Sequence, residues 1–440
     1  MIMKRMNFAL PLVLTAALIG AMTLAANGQE TNSTPVADRL SVDALVAEAL
    51  QKNPELKFYE AELAAAKAGR KTAGSFANPE VSGGIGRKTV SGGGVTAEGV
   101  AWSASVLQPF EWPGRLGLRK AIANRDIELA ELGYDRFKVA LTGCVRTLAY
   151  GLFAAQEKAA AAGEVAGRFK ALREVLVQRD PAGLTPLLET RVIEATELNA
   201  QRKASEATLA SQTALLELNQ LRGAAPDTRL VIDQPQLNFR SSEARESLVA
   251  SARTNNFELR MRAAELEQQG FRVKLAKNER YPALAIGPTF SEERIGNDRE
   301  QIIGVGISVP VPLWNRNSGN IEAAKAREQQ AEVSLNVTQR DIERQVITAA
   351  MTYETKLGEM AKWRPDSVQH FKEAAELADR HYRLGAVPIS TYVELQQQYL
   401  EAVGSLLDTK RETLEAAAQL ELLTGLPLPL VKTGATEEKK

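Results

Sequence analysis

The feature that most constrains the fold of this chain is an internal duplication that covers most of its 440 residues. Asn53-Pro54-Glu55-Leu56 reappears as Asn256-Phe257-Glu258-Leu259, at an offset of 203 residues (256 − 53). Other pairs keep this offset within two residues: Pro79 with Pro282, Pro109 with Pro310, Trp112 with Trp314, Arg115 with Arg316, Pro186 with Pro388 and Gly223 with Gly425. The period is far longer than the roughly 20–50 residues of solenoid repeats, so it predicts two copies of one half-protein.

The two halves share one order of segments: a helical segment, two short strands, a very long helix, a tight turn and a second long helix. We predict a first repeat over 41–225, a linker over 226–242, a second repeat over 243–428 and a flexible tail over 429–440. The predicted helices are at about 42–73, 115–179, 186–222, 243–277, 317–384 and 388–424, and the predicted strands at about 80–89, 99–109, 283–290 and 301–311. Gly163 and Pro365 correspond at an offset of 202, and we expect each to break its long helix, because both residue types weaken helices.

The chain begins with the pattern of a secretory signal. Lys4 and Arg5 precede an apolar run over 8–26, which small residues close at Gly28. This order predicts a cleavable signal peptide over 1–28 and export of the mature chain. A retained membrane anchor is the alternative, which Pro11 and the many alanines disfavour. After Gly28 no apolar run of about 20 residues recurs, so no transmembrane helix is expected there.

The long helical segments are too long for ordinary globular helices. At about 1.5 Å per residue, the segments at 115–179 and 317–384 each reach roughly 100 Å if continuous. In the last segment Val393, Leu400, Leu407 and Leu414 recur every seven residues, which is typical of coiled-coil packing, although Gln396 interrupts the stripe. The helices alone are equally consistent with a cytosolic coiled coil or a helical bundle.

The strand segments alternate strictly. Ile303, Val305, Ile307 and Val309 alternate with small residues, as do the corresponding apolar positions from 100 to 106. Such a pattern is typical of strands that separate two media, and we expect exposed tips at 91–94 and 291–294. Four strands cannot close a barrel, and bacterial barrels begin at about eight, so spanning a membrane would require protomers to pool strands. A small soluble β-layer is the alternative.

The composition excludes several classes of function. The formal net charge of zero gives no basic footprint for nucleic acid. His370 and His381 lie eleven residues apart on one predicted helix, about three turns, and Cys144 is remote from both, so no metal site is expected. We expect Cys144 to be a small buried side chain. No catalytic motif and no cofactor site is visible, and the chain is not predicted to be an enzyme.

Two strand-to-helix junctions carry a family resemblance. The segments Gln108-Pro109-Phe110-Glu111-Trp112-Pro113-Gly114-Arg115 and 309–321 (VPVPLWNRNSGNI) resemble the junctions of TolC-like outer-membrane efflux proteins, in the CzcC-like heavy-metal branch. The resemblance covers about 41–428. It implies a mainly α fold with a transmembrane β-barrel portion, in which a homotrimer forms a twelve-stranded barrel in the outer membrane and a twelve-helix periplasmic tunnel.

The same resemblance implies partners and cargo. A periplasmic adaptor and an inner-membrane pump of the resistance–nodulation–division (RND) type would deliver heavy-metal ions, and outer-membrane lipid would surround the barrel. Drugs or secreted polypeptides are alternative cargoes. A periplasmic coiled-coil adaptor or scaffold is the alternative role, which the duplicated β-hairpins disfavour.

Three groups of residues take roles from this resemblance. The membrane-interface junction would comprise Pro109, Trp112, Pro113, Pro310 and Trp314. The adaptor-docking tip would comprise Asp180, Gly183, Leu184, Arg383, Leu384, Gly385, Pro388 and Ser390. Within it, Gly385 is well placed for a left-handed C-cap and Pro388 for the first turn of the next helix. Candidates for the periplasmic gate are Glu394, Thr391 and Glu189, and Thr391 departs from the acidic residue that the family pattern has there. Glu394 could equally be a solvated residue or pair with Arg383.

Overall fold

The structure is a computed structural model that describes residues 38–92, 95–179, 187–233, 235, 237–364, 366–427 and 431–433. All of them belong to one unit, Asp38–Lys440. The predicted signal peptide over 1–28 lies outside the described residues, as do Asp180, Gly183, Leu184 and Pro365.

The two repeats follow the same order of elements. The first contains α1 (Val42–Lys52), α2 (Pro54–Ala73), β2 (Glu80–Gly92), β3 (Val95–Phe110), α3 (Arg115–Arg179) and α4 (Leu187–Leu221), and the short strand β1 (Asp38–Leu40) precedes it. The second contains α5 (Arg245–Asn255), α6 (Phe257–Asn278), β6 (Leu284–Ile295), β7 (Asp298–Ser308), α7 (Ser318–Ala361), α8 (Ser367–Arg383) and α9 (Ile389–Thr424).

Short strands also occur in the predicted linker and tail. β4 (Leu230–Ile232) pairs in parallel with β1, and β5 (Leu237–Phe239) pairs antiparallel with β8 (Val431–Thr433). Residues 431–433 are therefore a strand rather than part of a flexible tail, because backbone hydrogen bonds to the linker hold them.

The helical segments predicted at 42–73 and 243–277 are each divided by an asparagine. Asn53 and Asn256 are buried and have extended backbones, and each is the N-cap of the helix that follows. The Asn53 side chain accepts hydrogen bonds from the backbone N–H groups of residues 55 and 56, and that of Asn256 from residues 258 and 259. Asparagine at this position satisfies donors that have no partner within the helix, so both divisions are stable features.

The same two side chains bind the ends of other helices. Asn53 Nδ2 donates to the Leu221 carbonyl at 2.9 Å, and Asn256 Nδ2 donates to the Leu423 carbonyl at 2.7 Å. These carbonyls belong to the last turns of α4 and α9, where no intrahelical donor is available. The duplication therefore repeats a specific link between helices as well as the order of elements.

The predicted break at Gly163 is wrong, because α3 is continuous over its 65 residues. A single glycine in a helix costs only about 1 kcal/mol relative to alanine. Packing of α3 against α2, α4, α6 and α9 compensates for that cost. In the second repeat the helix is interrupted, since α7 ends at Ala361 and α8 begins at Ser367, on either side of Pro365.

The helical cores are narrow and rich in alanine and tyrosine. Tyr392, Tyr399 and Val403 of α9 are buried against α3 and α8, whereas Val393 and Leu400 of the heptad stripe are only half-buried. The expectation that Cys144 is buried is wrong, because its side chain is exposed on α3 next to the buried Val145.

Candidate functional site

The two β-hairpins form one antiparallel sheet with the strand order β2-β3-β6-β7. The central pair joins the two repeats, with Trp102 of β3 opposite Glu292 of β6. The expected tip at 291–294 is wrong, because β6 continues to Ile295 and the turn follows at Gly296, whose φ is 60°. In the first hairpin, residues 91 and 92 belong to β2, and residues 93 and 94 lie outside the described part of the chain.

The sheet has one apolar face and one face of small and polar residues. Val81, Ile85, Val106, Ile303, Val305 and Ile307 share the apolar face and are all exposed. The opposite face carries mainly glycine, serine and threonine, for example Gly84 opposite Ser103 and Gly287 opposite Gly306. A continuous exposed apolar surface of this kind marks contact with lipid or protein, and a narrow polar face fits an aqueous lumen.

Charged residues lie at the end of the sheet that contains the turns. On the small-residue face, Lys88 forms ion pairs with Glu293 and, at 4.0 Å, with Glu300. On the apolar face, Glu292 is almost fully buried and binds Arg294 at 2.7 Å, as well as Arg299 and Gln301. Neither cluster was predicted, because residues 291–294 were expected to form an exposed tip. The alternation of these residues, continued from Phe290, was the signal that could have placed them.

Both outer strands of the sheet have a free edge. β2 pairs only with β3, and β7 pairs only with β6, among the strands that the structure describes. An open edge carries a row of unpaired N–H and C=O groups, which water can solvate but lipid cannot.

The junction residues differ between the repeats. Trp112 stacks on Tyr281 at a centroid distance of 4.8 Å, whereas Trp314 is 94% exposed. Pro109 lies within β3, opposite Ala285, and does not end that strand, while Pro310 follows the last residue of β7 by two. The Pro113 carbonyl accepts a hydrogen bond from Asn278 Nδ2 at 3.0 Å, which ties this junction to the end of α6.

The junction of the first repeat is also held by Arg115. Its guanidinium donates to Asn278 Oδ1 at 3.0 Å and to the backbone carbonyls of Asn278 and Tyr281 at 3.1 and 2.7 Å. These bonds connect the start of α3 with the segment that leads into β6. They fix the sheet on the helices across the two repeats.

The hairpin between α8 and α9 has the expected glycine cap. Gly385 has a φ of 74°, and the backbone N–H groups of Gly385 and Ala386 donate to the carbonyls of Tyr382 and His381, both at 2.9 Å. This is the left-handed C-cap that the sequence predicts. Pro388 is the N-cap of α9 rather than a residue of its first turn. Arg383, Leu384 and Ser390 are exposed around this turn.

The three gate candidates lie at the same ends of their helices. Glu394 and Thr391 are in the first two turns of α9, and Glu189 is in the first turn of α4. Glu394 is exposed and accepts a hydrogen bond from Gln398 at 3.0 Å. The alternative pairing with Arg383 is absent within the described chain, where Arg383 binds Asp379 at 2.9 Å. This hydrogen bond raises the pKa of Arg383.

A buried polar cluster close to this hairpin was not predicted. Gln396 is fully buried, donates to the Ala375 carbonyl at 2.7 Å and accepts from Arg168 at 3.1 Å. Arg168 also binds Glu164 at 2.6 Å and Glu376 at 3.5 Å. The cluster therefore links α3, α8 and α9. A polar residue at a heptad position was the available signal, since buried polar groups need partners.

The described residues contain no group of three or more side chains suited to holding a metal ion. His370 and His381 are both exposed on α8. Within the same residues, no helix combines the length and the apolar character that crossing a membrane requires.

The chain is similar in sequence to one protein family and to two relatives. The family model described as outer membrane efflux protein matches residues 45–224 and 248–426. The chain is 22% identical over 427 residues to the cobalt-zinc-cadmium resistance protein CzcC of Cupriavidus metallidurans, covering 94% of this chain and 99% of that protein. It is 26% identical over 344 residues to the nickel-cobalt-cadmium resistance protein NccC of Alcaligenes xylosoxydans xylosoxydans, covering 76% and 74%.

Among solved structures, the CmeC outer membrane channel of Campylobacter jejuni superposes with a TM-score of 0.69 at 16% identity, covering 87% of this chain and 85% of that one. The two segments that the family model matches fall in the two repeats. These findings confirm the resemblance to outer-membrane efflux proteins and the predicted fold class.

Proposed function

We infer the function from one premise: this chain belongs to the outer membrane efflux protein family. It is an outer-membrane efflux channel component and not an enzyme. We propose that three copies form a passive exit duct for heavy-metal ions, which an inner-membrane RND-type pump and a periplasmic adaptor deliver. The helical part would lie in the periplasm, after removal of the signal peptide, and outer-membrane lipid would surround the sheet.

The proposal is carried by one observation: both the sheet and the helical part have surfaces that lack the partner their equivalents have. The sheet has free edges at β2 and β7. In the helical part α3 packs on α9, whereas the pair that the duplication makes equivalent, α4 against α7, has no comparable packing within the described residues. Exposed apolar side chains mark both of these helices, including Leu198 and Leu209 on α4 and Val333 and Val337 on α7.

Closure by further copies satisfies both deficits. Two copies would give eight strands, a size at which side chains fill the interior of a barrel. Three copies would give twelve strands and leave room for a lumen, while all strand edges become paired. The threefold rotation that pairs these strand edges would also bring α4 of one copy against α7 of the next.

The cargo is inferred from relatives and from what the chain lacks. CzcC and NccC are named for resistance to cobalt, zinc, cadmium and nickel. Since the described residues hold no candidate metal centre, we propose that ions pass without a dedicated site and that the pump selects them. Export of drugs or polypeptides is the alternative.

Gene deletion and native mass spectrometry test the proposal. Deleting the gene should sensitise the cell to cobalt, zinc, cadmium or nickel, and the gene supplied on a plasmid should restore resistance. Native mass spectrometry of the protein extracted from outer membranes in detergent should give three copies. A soluble periplasmic monomer would refute the duct, and sensitivity to drugs alone would refute the metal cargo.

We propose that Glu394 forms the selective ring at the periplasmic mouth. Three carboxylates around a threefold axis attract cations and repel anions. In planar bilayers, Glu394→Gln should lower the cation-to-anion permeability ratio measured from reversal potentials. Glu401 is also exposed, seven residues further along the same helix, and Glu401→Gln is the matched control. Equal effects of the two variants would contradict the assignment of the ring to Glu394.

The docking role of the tip is likewise a proposal. Leu384 is exposed beside the glycine turn, and Arg383 and Ser390 flank it. Leu384→Glu should weaken cross-linking to the adaptor without changing the native mass of the channel. Unchanged cross-linking would exclude this hairpin from the docking surface.

A further inference from the structure

The two free edges of the sheet are related by the internal duplication, and this relation determines how two copies of the chain pair. We propose that β7 of one copy pairs antiparallel with β2 of the next, with Val305 opposite Thr89. The inference rests on the proposed trimer. It adds the register of the seam, meaning the pair of strands β7 and β2 where two copies meet, because a trimer alone does not determine which residues face each other there.

The two repeats are related by one constant offset, which also holds within the sheet. Asn53 and Asn256 differ by 203 residues, and so do the first residues of α3 and α7, Arg115 and Ser318 (318 − 115). The hairpins obey the same offset. Gly83 pairs with Ala104 in the first hairpin, and adding 203 to each gives Ile286 and Ile307, which pair in the second. The offset of 201 between Pro109 and Pro310 is therefore confined to the end of β3 and the segment that follows β7.

The same offset relates the seam inside the chain, where β3 pairs with β6, to the proposed seam between copies, where β7 pairs with β2. Trp102 of β3 pairs with Glu292 of β6. Moving the first residue forward and the second back by 203 gives Val305 of β7 and Thr89 of β2. The pair of Ala104 with Phe290 becomes Ile307 with Arg87 in the same way.

The faces of the sheet provide an independent check. Val305 and Ile307 lie on the apolar face, and Thr89 and Arg87 lie on the same face as Ile85, because side chains alternate along β2. A shift of one residue would pair apolar-face residues with lumen-face residues, so only shifts of two residues compete. All four side chains are exposed in the single chain and accessible for pairing.

The glycines indicate where the two seams differ. A Cβ atom on Gly287 would lie 1.8 Å from the Val106 carbonyl oxygen, so the inner seam needs glycine there, and the equivalent position in β2 is also glycine, Gly84. Gly99 is likewise required by the Arg294 carbonyl, at 1.6 Å, but its equivalent in β7 is Ile302. The seam between copies should therefore match the inner seam near the helices and open slightly towards the turns.

Disulfide cross-linking tests the register. In a background in which the exposed Cys144 is replaced by serine, Val305→Cys is combined with Thr89→Cys, or with Arg87→Cys or Ser91→Cys as controls. A disulfide needs Cβ atoms about 3.5–4.5 Å apart, whereas diagonal neighbours lie about 7–8 Å apart. Mild oxidation of the purified trimer should produce a covalent trimer with Thr89→Cys at least several-fold faster than with either control.

A second pair guards against a variant that fails to fold. Ile307→Cys with Arg87→Cys should cross-link as fast as the first pair, and Ile307→Cys with Thr89→Cys should be slow. Faster linking of the control pairs would overturn the register, and so would no linking in a sample whose native mass is that of a trimer. A native mass of one chain would instead refute the proposed trimer, so the two failures are distinguishable.

Discussion

The replacement of Asn256 by alanine gives the sharpest test of the duplicated helix link. Asn256 is 3% exposed, and its side chain makes three hydrogen bonds: two from the backbone of α6 and one to the Leu423 carbonyl. Loss of the N-cap costs about 1 kcal/mol. A buried carbonyl left without a donor costs about 1–3 kcal/mol. We therefore expect Asn256→Ala to lower the free energy of unfolding by about 2–4 kcal/mol.

The measurement is urea unfolding of the detergent-solubilised protein, followed by far-ultraviolet circular dichroism. The neighbouring Asn255→Ala is the matched control, because that side chain donates only to Ser251 and Thr254 within its own helix. Asn53→Ala should match Asn256→Ala within about 1 kcal/mol, since the two sites make the same bonds. Equal losses for Asn255→Ala and Asn256→Ala would refute the reasoning.

Three other substitutions test the helical part. Gly425→Ala should destabilise the protein more than Gly223→Ala. Both glycines have a φ near 70°, but an added Cβ would lie 2.1 Å from the Asn255 carbonyl oxygen at Gly425 and 2.9 Å from the Lys52 carbonyl oxygen at Gly223. The reverse order of urea midpoints would contradict this reasoning. Gln396→Leu should cost about 1–3 kcal/mol by removing the acceptor of Arg168 Nη1, and the exposed Gln398→Leu should cost less than about 0.5 kcal/mol. Similar costs would show that the buried cluster does not contribute. Lys410 has no partner among the described residues, and burial lowers its pKa from the ordinary value of 10.5. The folded state therefore loses this proton at lower pH than the unfolded state, and stability should rise as the pH passes from the lowered pKa towards 10.5. Lys410→Met should be more stable at neutral pH and lack this rise, whereas the exposed Lys170→Met should keep it.

Much of the fold could be predicted because the duplication constrains it twice. The strand alternation placed Ile303, Val305 and Ile307 on one exposed face, and Gly385 was identified as a left-handed cap. These features depend on local backbone preference and on the alternation of side chains, which are visible in a sequence.

The errors arose where packing competes with local preference. Gly163 does not break α3, because tertiary contacts outweigh a weak propensity, and Cys144 is exposed because a residue's face on a long helix depends on which neighbours cover it. The asparagines were noticed as markers of the repeat, but their bonds to helix ends 167–168 residues away could not be inferred from spacing. The gate, the docking tip and the signal peptide remain predictions.

The interruption between α7 and α8 has a mechanical consequence that the first repeat does not share. Uninterrupted backbone hydrogen bonds make α3 stiff along its whole length. In the second repeat the helical hydrogen bonds are interrupted between Ala361 and Ser367. At this break α8 can change its angle to α7, whereas α9 beside it and α3 in the first repeat are continuous and can only bend along their length. In the proposed ring of three copies, hairpins with and without this break would alternate around the periplasmic mouth. Any widening of the mouth would then follow threefold symmetry, although the six hairpins have nearly the same fold.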